Sequence, residues 1–194
     1  MRILYVVLVT LAGLVLVESA QATSIFLDNC DAQGCQGTTL SLSVVANIGS
    51  FDVTLTINSD NYSGTRLGLN QVGFGAIQNW TSVTLDSSPT TGWSKPTAAD
   101  VSSAGLCAVG GASDKICTSG FVNITGGGNY TWEFTVTGGT LKPLSDWHIG
   151  GQFADSAAAT RGQIISAGPA IPEPSAALVF GVGTLLVARR VRHS

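Results

Sequence analysis

Basic side chains are scarce in this chain. Nine Lys and Arg stand against twelve Asp and Glu in 194 residues, and charged residues make up only 11% of the total. Arg189, Arg190 and Arg192 are crowded into the extreme C-terminus, so the segment 23–170 is acidic, with ten acids against five bases. Binding to nucleic-acid backbones depends on Lys and Arg displacing condensed counterions, and nucleic acid is therefore excluded as a partner. Histidine is almost absent. His148 is the one imidazole in 23–170 that a Ser-His-Asp arrangement would have to use, and it leads into an apolar run, the usual setting of a partly buried structural histidine. No Gly-x-Ser-x-Gly elbow occurs, the GG and GGG runs precede no helix, and nothing in 23–170 has the spacing of an amphipathic helix longer than two turns. These absences exclude a coiled coil and a phosphate loop, and they leave no catalytic residue and no cofactor to expect.

What the chain has in quantity is apolar sequence, 44% of the residues, and 24 glycines. Two apolar runs sit at the ends. Ile3 to Val17 is an uncharged stretch of 15 residues behind Arg2, followed by Ala20-Gln21-Ala22. The run is shorter than the ~20 residues a spanning helix needs, and two small residues spaced by one fit a signal peptidase. The expectation is a signal peptide over 1–22, read at Ala20 and Ala22; an uncleaved anchor is the alternative. The other end carries Ile171-Pro172-Glu173-Pro174, the apolar run Ser175 to Ala188, and then the arginines. The prolines separate a folded domain from a helix, and the arginines resist crossing a bilayer. At ~1.5 Å per residue the run reaches about 21 Å, short of the ~30 Å hydrocarbon core, so it suits a transient stay in a bilayer.

Pro172-Glu173-Pro174, the short hydrophobic helix and the terminal arginine cluster together resemble the PEP-CTERM protein-sorting signal, over roughly residues 171 to 192. Ile171 replaces, conservatively, the valine usual before the first proline. The resemblance implies recognition by an exosortase, a membrane-embedded cysteine transpeptidase-like enzyme, in a Gram-negative bacterium that makes extracellular polysaccharide. It also implies export through the inner membrane and delivery to the cell surface or matrix. The plain alternative is a C-terminal membrane anchor that is never cut. The segment 171–194 is accordingly set apart from the exported domain 23–170.

Within 23–170 the apolar period is two. Leu40, Leu42, Val44 and Ala46 alternate with polar residues, as do Phe51, Val53, Leu55 and Ile57, with Asn47-Ile48-Gly49-Ser50 as the turn between two strands. A second hairpin is expected from Phe121–Ile124 and Tyr130–Val136 about Thr125–Asn129, with Tyr130, Trp132, Phe134 and Val136 on one face. Further short strands are expected near Ser24–Leu27, Leu67–Phe74, Ser82–Leu85, Ile149–Phe153 and Gln163–Ala167. The fold class is all-β: an antiparallel β-sandwich, with a jelly roll as its nearest rival.

Four cysteines, Cys30, Cys35, Cys107 and Cys117, allow three pairings, of which sequence proximity favours Cys30 with Cys35 and Cys107 with Cys117. Zinc is disfavoured by their spacing and by the single His. Oxygen-rich loops at Asp28, Asn29 and Asp31 and at Asn58, Asp60 and Asn61 carry no calcium signature, and turns use the same residues to bond their own backbone. Glu133, flanked by Trp132 and Phe134, reads as a solvated strand residue instead of half of a glycosidase pair. Trp132 belongs to the core. Trp80 and Trp93 lie in loop-like sequence and are the candidates for an exposed sugar-stacking platform. The function expected is non-enzymatic: a structural or adhesive protein of biofilm or exopolysaccharide, with a carbohydrate-binding module or a polysaccharide-acting hydrolase as alternatives.

Overall fold

The computed structural model describes residues 22–27, 29–30, 35–98, 100–102, 105–108, 114–159 and 162–168. Of the expected signal peptide over 1–22 only Ala22 is described, as the first residue of a strand, and the sorting segment 171–194 lies outside the described residues. Among the described residues no helix is long and apolar enough to cross a membrane.

The chain is all-β, built on two antiparallel sheets. Strands β1 (Ala22–Leu27), β3 (Thr39–Asn47), β4 (Ser50–Asn58), β11 (Asn129–Leu141) and β6 (Ile77–Ser87) form a five-stranded sheet in that spatial order. The six-stranded sheet runs β2 (Asn29–Cys30), β13 (Gln163–Gly168), β12 (Ile149–Ala154), β5 (Gly68–Phe74), β10 (Ile116–Asn123) and β7 (Thr97–Ala98). Strands β8 (Asp100–Ser102) and β9 (Gly105–Ala108) make a small hairpin against β5, β10 and β12.

The period-two alternation explains the packing directly. Leu40, Leu42 and Val44 point inward from β3; Val53, Leu55 and Ile57 from β4; Trp132, Phe134 and Val136 from β11. They meet Leu69, Val72 and Phe74 of β5, Ile149 and Phe153 of β12 and Ile165 of β13 in one continuous core. Phe74 and Phe134, from opposite sheets, pack with ring centroids 5.1 Å apart. The β3–β4 hairpin has the expected register, Asn47 opposite Ser50, with Gly49 at φ +77° closing the turn.

The second expected hairpin is corrected. β10 pairs with β5 and β7 in one sheet, whereas β11 pairs with β4 and β6 in the other, so Ile124–Gly128 crosses between sheets. The physical reason lies in the crossing segment. Asp60 accepts a hydrogen bond from the Gly128 amide at 2.8 Å, and the Ser59 amide donates to the Gly128 carbonyl at 2.9 Å, which ties the segment to the end of β4. β11 then zips along β4 over nine residue pairs, from Asn129↔Asn58 to Thr137↔Ser50. That ladder buries far more than a two-strand hairpin with β10 could, and a lone hairpin is marginal in water. β11 also runs beyond Val136 to Leu141, past a bulge where Gly138 and Gly139 take positive φ.

Candidate binding face

The same alternation that fills the core decides what the five-stranded sheet shows to water. Its inward side takes Val53 and Phe134, so Asp52, Thr54 and Thr56 of β4 and Thr131, Glu133 and Thr135 of β11 face outward. Across the sheet the register lines Thr135 up with Asp52 on one side and Thr84 on the other, and Glu133 with Thr54 and Ser87. Asp86 is the extra residue of a β6 bulge, where the pairing steps from Leu85↔Phe134 to Ser87↔Glu133. These side chains are knitted together. Thr135 donates to Asp86 at 2.7 Å, Thr84 to Asp86 at 3.0 Å, Ser87 to Glu133 at 2.8 Å and Asn47 to Asp52 at 2.7 Å, while the Thr56 and Thr131 hydroxyls lie 3.1 Å apart.

Asp52, Thr54, Asp86, Glu133 and Thr135 border an open groove of about 350 Å³ whose floor is strand backbone at Val53 and Phe134. The five strands carry three acids and no Lys or Arg. Glu133 is solvated, as the alternation implied, but Asp52 and Asp86 join it. Asp52 was legible as an outward strand position; Asp86 was not, because a bulge shifts which neighbours a residue meets. All three of these acids are exposed and already accept a bond from a hydroxyl or amide. The arrangement sets carboxyl groups and hydroxyls side by side at the surface.

The opposite side of the molecule is closed. Ser166, between the core residues Ile165 and Ala167, hydrogen-bonds through its hydroxyl to Nε2 of His148 on the covered face of the six-stranded sheet, opposite Gly150. Ser166 is only 5% exposed, so a substrate carbonyl has no approach to its hydroxyl. On that same face Cys107 and Cys117 form a disulfide with Cα atoms 5.3 Å apart, stapling β9 to β10. Cys35 is disulfide-bonded as well, and the side chain of Cys30 lies outside the described residues.

Geometry bears on three further expectations. Trp132 and Trp147 are buried, the latter donating from Nε1 to the Lys142 carbonyl at 3.0 Å. Trp80 and Trp93 are not the exposed platform that loop-like neighbours suggested. Trp93 packs edge-on against Trp132, centroids 5.0 Å apart, above Gly120, and Trp80 falls inside β6 and packs against the core. In the Asn58–Asn61 loop Asp60 accepts from Asn58 Nδ2 and the Gly128 amide, and Asn58 Oδ1 accepts from the Asp60 amide, bonds that serve the turn itself. Asp28 and Asp31 lie outside the described residues, as does the side chain of Asn29. Among the described residues no group of three or more His, Cys, Asp or Glu is placed to hold a metal ion.

Elsewhere charge is paired locally. Arg66 meets Asp155 at 2.6 Å, and Lys142 donates to Asp114. The Lys142 ammonium holds the Asp114 carboxyl below its ordinary value, while burial beside Phe153 raises the Tyr62 phenol. Comparisons of the chain with protein families, with curated proteins and with solved structures return no match.

Proposed function

We propose that this chain is an exported protein, addressed at both ends, whose two-sheet domain is a β-sandwich that works outside the cell by contact, in the extracellular polymeric matrix or in adhesion. The observation that carries this reading is the ordered tail: Pro172-Glu173-Pro174, an apolar run too short for a durable anchor, and Arg189, Arg190 and Arg192, in a chain that opens with Ile3 to Val17 and Ala20-Gln21-Ala22. The fold supports it in two ways. Among the described residues the strands run from Ala22 to Gly168, the span that the two addresses would leave to the domain save Ala22 itself. Disulfide-bonded cysteines suit an oxidising compartment.

In this reading an exosortase processes the tail while 175–188 rests in the inner membrane, and the mature domain reaches the surface of a Gram-negative bacterium. A carbohydrate-binding role is the second reading. It draws on the hydroxyl-lined outer face, since Trp80 and Trp93 are packed against the core. Intact-mass measurement of the protein recovered from cells is the test. The expected mass lacks Met1 to Ala22 and the residues beyond the Pro172 region, and is four hydrogens light for two bridges. A full-length chain with free thiols in the cytosol would overturn the proposal.

A further inference from the structure

The outer faces of the two sheets differ. That of the six-stranded sheet is covered by the β8–β9 hairpin, whereas the five-stranded sheet leaves Asp52, Asp86 and Glu133 at the surface among hydroxyls of Thr54, Thr84 and Thr135. Every base in the described residues lies off this face: Arg66 on Asp155, Lys142 on Asp114, and Lys95 and Lys115 outside its five strands. Among the described side chains the outward positions of this face show no large exposed apolar residue; the side chains of Phe26 and Leu27 in β1 lie outside the described residues. Leu67 and Leu144 lie outside its strands, Leu141 ends β11 opposite the buried Ile77, and Ile48 stands at the tip of the β3–β4 hairpin. A partner seated on the patch of Asp52, Asp86 and Glu133 gains chiefly charge and hydrogen bonds.

We infer that this face docks a cationic amino-sugar polymer, a polysaccharide carrying protonated amines among its hydroxyls. The inference rests on the contact role proposed above and names the chemistry of the contact. Three points select this occupant. Its positive charge is complementary to a face that carries acids alone. Its hydroxyls and ammonium groups exchange hydrogen bonds with Ser, Thr and carboxylate side chains without requiring the apolar anchors on which protein partners depend. Its extended shape suits the area: five strands about 4.8 Å apart and some nine residues long at about 3.3 Å each give a face of roughly 20 by 30 Å. That is less than the ~800 Å² per partner of a standard protein interface, but a chain can lie along it and be held at several points at once.

The test uses the full chain in mild detergent, with deacetylated poly-glucosamine as the probe at pH 6. Its fully N-acetylated form removes the charge and keeps the backbone, and poly-lysine keeps the charge without the sugar. Binding is expected to be about tenfold weaker to the acetylated polymer. It should be lost at about 1 M NaCl, where the Debye length is ~3 Å, and be about tenfold weaker for the D52N/D86N/E133Q variant. Should the triple variant not fold, D86N and E133Q singly should each weaken binding about threefold. Equal binding of both glucosamine polymers, or undiminished binding by the variants, overturns the inference. So does poly-lysine binding as tightly as the amino sugar, which would assign the face to a basic protein. Failure here leaves the intact-mass result standing, and intact ends on that measurement leave this binding standing, so the two proposals fail separately.

Discussion

At the scale of single residues, two kinds of contact decide local behaviour. The first is charge. Asp114 is held ionised chiefly by the hydrogen bond from Lys142, and its folded pKa lies below that of the unfolded chain. The stabilisation is therefore present above the unfolded value and is lost as pH falls through the folded one. The pair is partly open to solvent, so it contributes under about 1 kcal/mol. Replacing Asp114 with Asn is expected to lower the melting temperature slightly at pH 6, with the difference closing as pH drops below about 4. Melting curves of both proteins from pH 3 to 7 check this, and a gap that widens in acid would contradict it. The second is space. A Cβ at Gly120 would lie 2.4 Å from Trp93 Cδ2, and Trp93 rests edge-on against Trp132. Gly120→Ala is expected to push the indole outward and cost about 1–3 kcal/mol, seen as a lower midpoint in urea with a red-shifted tryptophan emission.

At the scale of elements, alternation was readable and partnership was not. Leu40, Leu42 and Val44 announced β3, and Val53, Leu55 and Ile57 announced β4, because a half-buried strand writes its two faces into the chain. Asn47 to Ser50 then gave the hairpin, since the turn sits between adjacent runs. The same signals around Thr125–Asn129 suggested a hairpin that does not exist. Strand periodicity carries no record of which edge a strand will meet, and a Gly-rich segment crosses between sheets as readily as it folds back. The short β7, β8 and β9 escaped for want of any period at two to four residues. What fixes that region is the Cys107–Cys117 bridge, closing a separation of ten residues. Its loss is expected to cost about 2–3 kcal/mol, or roughly 5–10 °C in a domain of this size. In a C107S/C117S variant, hydrogen exchange should rise in β8, β9 and the start of β10 and stay unchanged in β3, β4 and β11. Uniform loss of protection across both sheets would show that the bridge holds the whole domain instead of one hairpin.

At the scale of the whole molecule, both sheets share one core, so neither is expected to melt alone. Tryptophan emission and far-UV circular dichroism should report a single coincident transition. The last strand among the described residues ends at Gly168. Under the sorting role proposed above, a chain stopped at Ala170 is expected to keep its melting temperature within about 2 °C and to lose membrane association. Cell fractionation and calorimetry of the truncated protein measure the two effects; a large drop in stability would tie the tail to the domain.

The sequence by itself determined the strand-built class of the domain, the inward and outward identity of most strand residues, the pairing of Cys107 with Cys117 by proximity, and the apolar character of both ends. Each of these is a local property: a period of two, a short separation, a run of uncharged side chains. Only the tertiary structure decided that β10 and β11 belong to different sheets, that Trp80 and Trp93 pack against the core, that Ser166 closes on His148 out of reach of solvent, and that Asp86 joins Asp52 and Glu133 on one bare face. Those outcomes depend on strand order and on bulges. They are set by which long-range pairing buries the most surface, and that energy belongs to the assembled sheets instead of to any segment alone.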